Sequence, residues 1–271
     1  MIRFPNAKIN LGLRITGTRP DGYHDLQTVF YPIPFKEALE CIPDNSIQTN
    51  QFNQTGLTVP GQLKDNLCLK AYELIKAVRP ELPYLNIHLH KSIPMGAGLG
   101  GGSADAAFML RMLNDYFKLD LREAALQEMA LRLGSDCPFF LLNKPAYAEG
   151  RGEKLKPVEL DLSTYRILIV NPGIHVSTGW AFSQITPSLS QQSPQEIIKL
   201  PVSEWRGFLV NDFEGPVCNA YPLIADIKNI MYSSGALYAS MTGSGSTVFG
   251  IFSASQQAKF SFPWGCFVKW I

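Results

Sequence analysis

Glycines occupy positions 96, 98, 100, 101 and 102 of the stretch PMGAGLGGGSA (94–104), and an apolar helical pattern begins directly behind them. Glycine lets backbone N–H groups approach an anion closely. A helix opened by Ser103 as its N-cap would aim its unpaired N–H groups and the positive end of its dipole at the same point. The chemistry this predicts is a phosphate cradle that needs no lysine. Glycine alone would equally suit a flexible surface loop; Pro94 before the run and the capped helix after it favour the cradle.

Three other glycine signatures fit the stretch less well. Gly96-Ala97-Gly98-Leu99-Gly100-Gly101 satisfies G-x-G-x-x-G, but a dinucleotide turn follows a buried parallel strand directly. Here residues 84–90 alternate, with Leu85, Ile87 and Leu89 on one face, and Lys91-Ser92-Ile93-Pro94 intervene. A Walker A loop ends in G-K-[ST], and no lysine follows these glycines. A protein-kinase loop is accompanied by H-R-D and D-F-G, and neither occurs. A second small-residue run, Thr242-Gly243-Ser244-Gly245-Ser246, lies between two apolar segments of 236–252 and suits a tight hairpin. His88 and His90 share a strand face, but a metal site needs a further ligand that the spacing does not supply, so they read as surface histidines.

The elements that must position these loops are mixed in type. KINLGLRI (8–15) alternates, with Ile9, Leu11, Leu13 and Ile15 on one side and Lys8, Asn10, Gly12 and Arg14 on the other, which predicts a half-buried strand. TRPDGY (18–23) is turn chemistry, and 24–35 reads as extended. Residues 43–62, broken by Pro43, Gly56, Pro60 and Gly61, suggest loops around short strands. Asp65 would cap a helix over 66–79; the helix behind Ser103 runs to about 117; Asp120 with Glu123 resembles a capping box for a helix ending at Gly134. A hairpin is expected around Gly150-Arg151-Gly152. A second part begins near 164 with a buried strand at 165–173. A mobile polar stretch at 183–198, helices at 202–209 and 219–233, and a closing strand CFVKWI follow. This order is not a regular βαβα series, so the expectation is α+β with two lobes.

Composition narrows the ligand. The 271 residues are 46% hydrophobic and 17% charged with net charge +1, and no lysine–arginine cluster appears, so no nucleic-acid partner is expected. No apolar run approaches the roughly 18 residues that span a bilayer, and MIRFPNAKINLGL does not read as a signal peptide. Cys41, Cys68, Cys137, Cys218 and Cys266 form no C-x-x-C pair and read as free thiols of a cytoplasmic protein.

PMGAGLGGGSADAA closely resembles the phosphate loop of the galactokinase–homoserine kinase–mevalonate kinase–phosphomevalonate kinase (GHMP) superfamily. PNAKINLGLRITGTRPDGYHDLQT (5–28), GSDCPFF (134–140), NDFE (211–214) and MTGSGSTVFG (241–250) extend the likeness from end to end, toward the branch whose acceptor carries a cytidine diphosphate. Residues 41–62 and 183–198 match least. The resemblance implies a two-lobed α+β kinase fold. Its N-terminal lobe (1–160) would be similar to domain 2 of ribosomal protein S5, with a left-handed βαβ unit, and its C-terminal lobe (161–271) would be ferredoxin-like. It implies a small-molecule kinase with ATP as co-substrate, accompanied by Mg2+. The enzyme would phosphorylate the 2-hydroxyl of a cytidyl-diphosphate-linked methylerythritol in the non-mevalonate isoprenoid route.

Residue by residue, the resemblance gives the ATP phosphates to Pro94, Met95, Gly96, Ala97, Gly98, Leu99, Gly100, Gly101, Gly102, Ser103 and Ala104. It makes Asp136 the catalytic aspartate, accepting or orienting the acceptor's proton; a helix-end aspartate that only bonds backbone is the plainer alternative. Cys137 departs from the valine expected beside it. Lys8 would pair with Asp136 and neutralise charge on the transferring phosphoryl, and Asn10, two residues on, would bond the substrate's hydroxyls. Tyr23 and His24 would recognise the cytosine, with Phe182 as second stacking face and Thr178 nearby. Gly243, Ser244 and Gly245 would form a supporting loop. Ser103 could approach the Mg2+, and no protein carboxylate ligand is fixed. The rivals are another kinase of the superfamily, a non-catalytic nucleotide-binding module and a dinucleotide-dependent oxidoreductase.

Overall fold

The computed structural model describes residues 1–59, 61–188, 192–256 and 260–271. The chain runs β1 (Ile2–Arg3), β2 (Asn6–Thr18), β3 (His24–Lys36), β4 (Ala38–Pro43), β5 (Gln51–Gly56), α1 (Leu67–Val78), β6 (Leu85–Lys91), α2 (Gly101–Tyr116), α3 (Glu123–Leu133) and α4 (Cys137–Leu142). It continues through β7 (Ala146–Glu149), β8 (Lys154–Pro157), β9 (Tyr165–Asn171), α5 (Thr178–Ser183), α6 (Pro194–Ile197), α7 (Glu214–Ala220), α8 (Pro222–Ser233), β10 (Tyr238–Met241), β11 (Val248–Ser253) and β12 (Phe267–Trp270). Two compact units interleave along the sequence: Met1–Ala7, Pro34–Met95 and Gly100–Lys144 form the first, and Lys8–Ile33, Gly96–Leu99 and Pro145–Ile271 the second. The mixture is α+β, as the sequence suggests.

In the first unit the sheet order is β1-β4-β6-β5. β4 and β6 are antiparallel from Ala38 opposite His90 to Pro43 opposite Leu85, whereas β5 and β6 are parallel, joined by α1 as a βαβ unit. Leu85, Ile87 and Leu89 are buried, as their alternation predicts. The helix caps differ from expectation. Asn66 caps α1, its Oδ1 accepting from Cys68 N at 2.9 Å and Leu69 N at 3.4 Å, while Asp65 ends a 3-10 turn. Gly100, with φ +73°, caps α2, so Ser103 lies inside the first turn. That left-handed backbone favours glycine over serine. Arg122 precedes α3 without any side-chain cap, and Asp120 sits at φ +53°. Asn114 instead accepts the nearby Leu121 N–H at 2.9 Å. Gly134 does close α3, donating to Ala130 O.

The second unit contains the sheets β2-β3-β7-β8 and β10-β11-β9-β12. β7 and β8 form the expected hairpin around Gly150-Arg151-Gly152, and β10 and β11 form the one around 242–247. β2 is not half-buried. Lys8 and Asn10 are 3% and 2% exposed, because residues 209–212 and Thr242 cover the strand's polar side. Leu13 N donates to Val210 O, and Asp212 N to Leu13 O. The core gathers Leu13 and Ile15 of β2, Leu168 and Val170 of β9, Phe213, Val217, Ile227 and Met231 from the 210–231 region, and Val248 and Phe252 of β11.

The 202–209 helix is a short 3-10 turn, Val202–Glu204, leading to Trp205, whose buried indole donates to Leu200 O. The 219–233 helix is divided at Tyr221, where Pro222 starts α8 afresh. Within 183–198, α6 is packed through Pro194 and Ile197; residues 189–191 of that stretch, like Pro60 of 43–62, lie outside the described residues. No helix among the described residues is long and apolar enough to cross a membrane.

Candidate active site

In the second unit, β2 carries the centre of the site. The Lys8 ammonium donates to Asn10 Oδ1 at 2.6 Å and to Gly98 O, in the glycine run, at 3.1 Å, and stands 5.0 Å from the Phe30 ring centroid. The Lys8 backbone N–H holds Leu99 O at 2.9 Å. Asn10 donates from Nδ2 to Thr28 Oγ1 at 3.1 Å. Thr242 Oγ1 reaches Gly98 O at 3.0 Å and Asn10 Oδ1 at 3.2 Å, and accepts from Asn10 N at 3.0 Å. A buried ammonium thus meets the carbonyl of a glycine turn and the Asn10 amide oxygen, and the Thr242 hydroxyl bonds both of these acceptors. Gly98 is required there: its φ is +78°, and a Cβ would lie 1.9 Å from Thr242 O.

The NDFE block anchors the second small-residue loop. Asn211 Nδ2 donates to Met241 O and Gly243 O, both at 2.8 Å, and Asn211 Oδ1 accepts from Phe213 N. Asp212 accepts from Arg14 Nη1 at 2.9 Å and Ile15 N at 2.8 Å, and Glu214 accepts from Met241 N at 2.7 Å. Gly243 comes against Gly98, whose α-carbon would be 3.2 Å from a Cβ there.

An aromatic platform stands in the same unit. His24 stacks on Phe182 with centroids 4.8 Å apart, and Phe182 meets Phe213 edge-on at 4.9 Å. Tyr23 is half exposed, with the Arg151 guanidinium 3.6 Å over its ring. Thr178 Oγ1 lies 3.0 Å from Ser244 Oγ. His24, Phe182, Thr178 and Ser244 belong to two local clusters, each joining residues far apart in sequence.

In the first unit, Gly100 turns the chain into α2, and α4 carries Asp136 at its N-terminal boundary with helical φ −84° and no side-chain capping bond. The α2 start and the Asp136 segment are neighbours: a Cβ on Gly134 would be 3.4 Å from Cys137 Sγ and 3.9 Å from Ser103 Oγ. Burial pushes the Cys137 thiol up to about 12 against the pull of the Ser103 hydroxyl, so this cysteine is an inert neighbour rather than a nucleophile. A cavity of about 340 Å3 opens beside Gly102, with Phe52, Leu63, Leu67 and Met95 as apolar lining and Asn66, Lys91 and Asp105 as polar groups.

Lys91 is fully buried between two acids, 2.5 Å from Glu37 Oε1 and 2.8 Å from Asp105 Oδ2. Burial alone would lower Lys91, but the charges of Asp105 and Glu37 hold it above its ordinary value. Burial pushes the Asp105 carboxyl up to about 7, with Lys91 opposing. Its Oδ1 has no hydrogen-bond partner.

Sequence motifs missed Glu37, Lys91, Asp105, Thr28 and the direct role of Thr242. Thr28, Asp105 and Thr242 stand inside the quoted blocks, and Glu37 and Lys91 outside them. His88 and His90 both reach Thr55 Oγ1 at 3.0 Å on the exposed side of the first unit's sheet. Among the described residues no three metal-ligating side chains cluster, and the five cysteines are free thiols.

Two family models match the chain: GHMP kinases N terminal domain over residues 66–144 and GHMP kinases C terminal over 202–265. A 4-diphosphocytidyl-2-C-methyl-D-erythritol kinase of Bacteroides fragilis is 54% identical over 258 residues, covering 95% of this chain and 94% of its own. The protein of that name from Parabacteroides distasonis is 51% identical over 252 residues, covering 93% and 92%. A crystal structure of 4-(cytidine 5'-diphospho)-2C-methyl-D-erythritol kinase aligns with TM-score 0.77 and 33% identity, over 93% of this chain and 90% of that one. Methanococcus jannaschii mevalonate kinase aligns with TM-score 0.66 at 13% identity, over 95% and 92%, a likeness of fold alone.

Proposed function

The chain belongs to the GHMP kinase superfamily, and on that footing we propose its reaction: ATP-dependent phosphorylation of the 2-hydroxyl of 4-diphosphocytidyl-2-C-methyl-D-erythritol, giving the 2-phosphate and ADP. This is a step of non-mevalonate isoprenoid precursor synthesis. The acceptor comes from the relatives that are 54% and 51% identical over nearly the whole chain. The geometric observation that carries the reading is the Lys8 ammonium held at 3.1 Å on Gly98 O, a fixed cation at a glycine turn.

Residues 94–104 bind the ATP phosphates through backbone N–H groups, and the cavity beside Gly102 receives the base. The acceptor's 2-oxygen forms a bond to the γ-phosphorus, the bond to the ADP oxygen breaks, and the hydroxyl proton passes to the Asp136 carboxylate. Lys8 stabilises the charge that accumulates on the transferring phosphoryl. Asn10 orients the acceptor, its own amide held by Thr28 and Thr242. Tyr23 and Phe182 give the cytosine its stacking faces, His24 hydrogen-bonds its edge and Thr178 lies alongside, while Gly243, Ser244 and Gly245 support the loop.

Mg2+ bound with the nucleotide would supply charge neutralisation to the phosphates. Ser103 is the hydroxyl that the loop offers it. The domain division 1–160 and 161–271, a cytoplasmic location and small-molecule substrates with no nucleic-acid or membrane partner complete the proposal.

Transfer from ATP to the cytidyl acceptor, run beside homoserine and mevalonate, tests it. Turnover of the cytidyl compound alone is expected, with Asp136→Asn slower by about a hundredfold, the scale of a lost general base. A folded, ATP-binding protein that phosphorylates none of the three would overturn the assignment.

A further inference from the structure

We propose that His175 is a further ligand-contacting residue of the phosphate site, its imidazole donating to a phosphate oxygen held against the loop at Gly96. The proposal rests on residues 94–104 binding phosphate. The first observation is position. A Cβ built on Gly96 would lie 3.4 Å from His175 Nδ1 and 3.6 Å from its Cε1, so the nitrogen-bearing edge of the ring lies beside that glycine. Gly96 has φ +61°, the left-handed backbone that turns successive N–H groups toward an anion.

The second observation is that the chain around His175 is built to present it. Asn171 Oδ1 accepts from Gly173 N at 2.9 Å, and Asn171 Nδ2 donates to Thr247 Oγ1 at 3.0 Å. Ser246 Oγ donates to Ile174 O at 2.5 Å, and Val176 is buried. Both neighbours of His175 are therefore pinned, while His175 is exposed and its ring makes no hydrogen bond among the described residues. Thr247 N also donates to Ala97 O at 3.3 Å, tying the presenting segment to the glycine run.

The third observation is chemical. Lys8 bonds Gly98 O, and His175 stands beside Gly96, two residues earlier in the same run, as a second side-chain donor. A neutral imidazole carries one N–H donor on a short, stiff side chain.

Two phosphate groups could be the partner, the polyphosphate of ATP or the diphosphate of the cytidyl acceptor. Calorimetric titration with ATP and, separately, with cytidine diphosphate distinguishes them, and needs no turnover. The measurement therefore stands even if the kinase assignment fails. His175→Ala should weaken one of the two ligands by about tenfold, the scale of one hydrogen bond to a charged group. His175→Gln, which keeps an N–H donor, should recover most of the loss. Thermal midpoints should match wild type, because the side chain is exposed. Affinities of the alanine variant within twofold for both ligands would overturn the proposal. So would a glutamine variant as weak as the alanine one, since that result would assign the effect to ring shape.

Discussion

Lys91 and Glu37 meet where water does not reach: the ammonium lies 2.5 Å from Glu37 Oε1, and both side chains are fully buried. The other Glu37 oxygen accepts the N–H groups of Ser92 and Ile93, at 2.9 and 3.3 Å, just before the glycine run. Asp105, in the second turn of α2 just behind that run, takes another side of the ammonium at 2.8 Å. One ion cluster grips the glycine run in front and behind.

Removing the cation from this cluster should be far worse than removing one acid. Lys91→Met leaves two carboxyl groups buried without their partner and should cost about 3–5 kcal/mol in urea denaturation. Asp105→Asn, which keeps an acceptor for Lys91 and equalises the charges, should cost under about 1.5 kcal/mol. Equal losses in the two variants would show that charge balance is not what the cluster supplies.

The same cluster should make stability depend on pH. Folding raises the Asp105 carboxyl from an ordinary 3.8 to about 7, so between these values the folded chain binds more protons than the unfolded one. Stability from this group is complete below about pH 4 and is lost as pH rises through about 7. Cys68 beside it is pushed well up by burial and stays a neutral thiol throughout that range. Asp105→Asn should therefore gain on wild type as pH goes from 5 to 8, read as the difference in denaturation free energy. A constant difference would place the proton elsewhere.

Gly98→Ala should separate binding geometry from stability. The methyl would strike Thr242 O and the backbone would be strained at φ +78°, so the loop must shift. A displacement of about 1 Å at a reacting group costs on the order of a hundredfold in rate. We expect kcat/KM for ATP to fall by that much. Wild-type kinetics in this variant would mean the turn is not where phosphate is held.

Phe182→Ala should act on the acceptor alone. Losing one ring under a base costs about 1–3 kcal/mol, so KM for the cytidyl acceptor should rise at least fivefold while KM for ATP stays put. His24→Ala should behave likewise, because the two rings stack at 4.8 Å. A rise in KM for ATP instead would move the base-recognition site.

Local order was legible wherever neighbours in sequence are neighbours in space. The alternation at 84–90, the hairpins at 150–152 and 242–247 and the helix stop at Gly134 all follow from residues within one turn or one ladder step. Caps were misplaced by one to three residues, because Asp65, Ser103 and Asp120 can cap as well as the Asn66 and Gly100 that do. The buried polar side of β2 was not legible. Nothing in KINLGLRI announces that a threonine 232 residues later will cover Asn10. The Glu37–Lys91–Asp105 cluster escaped for the same reason, its bonds spanning 54 and 14 residues. The resemblance supplied the chemical roles, which periodicity could not.

That separation of Asn10 from Thr242 also sets a schedule for synthesis. A ribosome adding about 5–20 residues per second needs roughly 10–50 seconds to travel from one to the other. Until then the nascent β2 carries a lysine and an amide on a face with no cover, and the parts of each unit wait on both sides of the other in the message. A transcript cut short anywhere before residue 242 would yield a chain that lacks this cover. The cover of β2 is therefore completed only after residue 242 has been made.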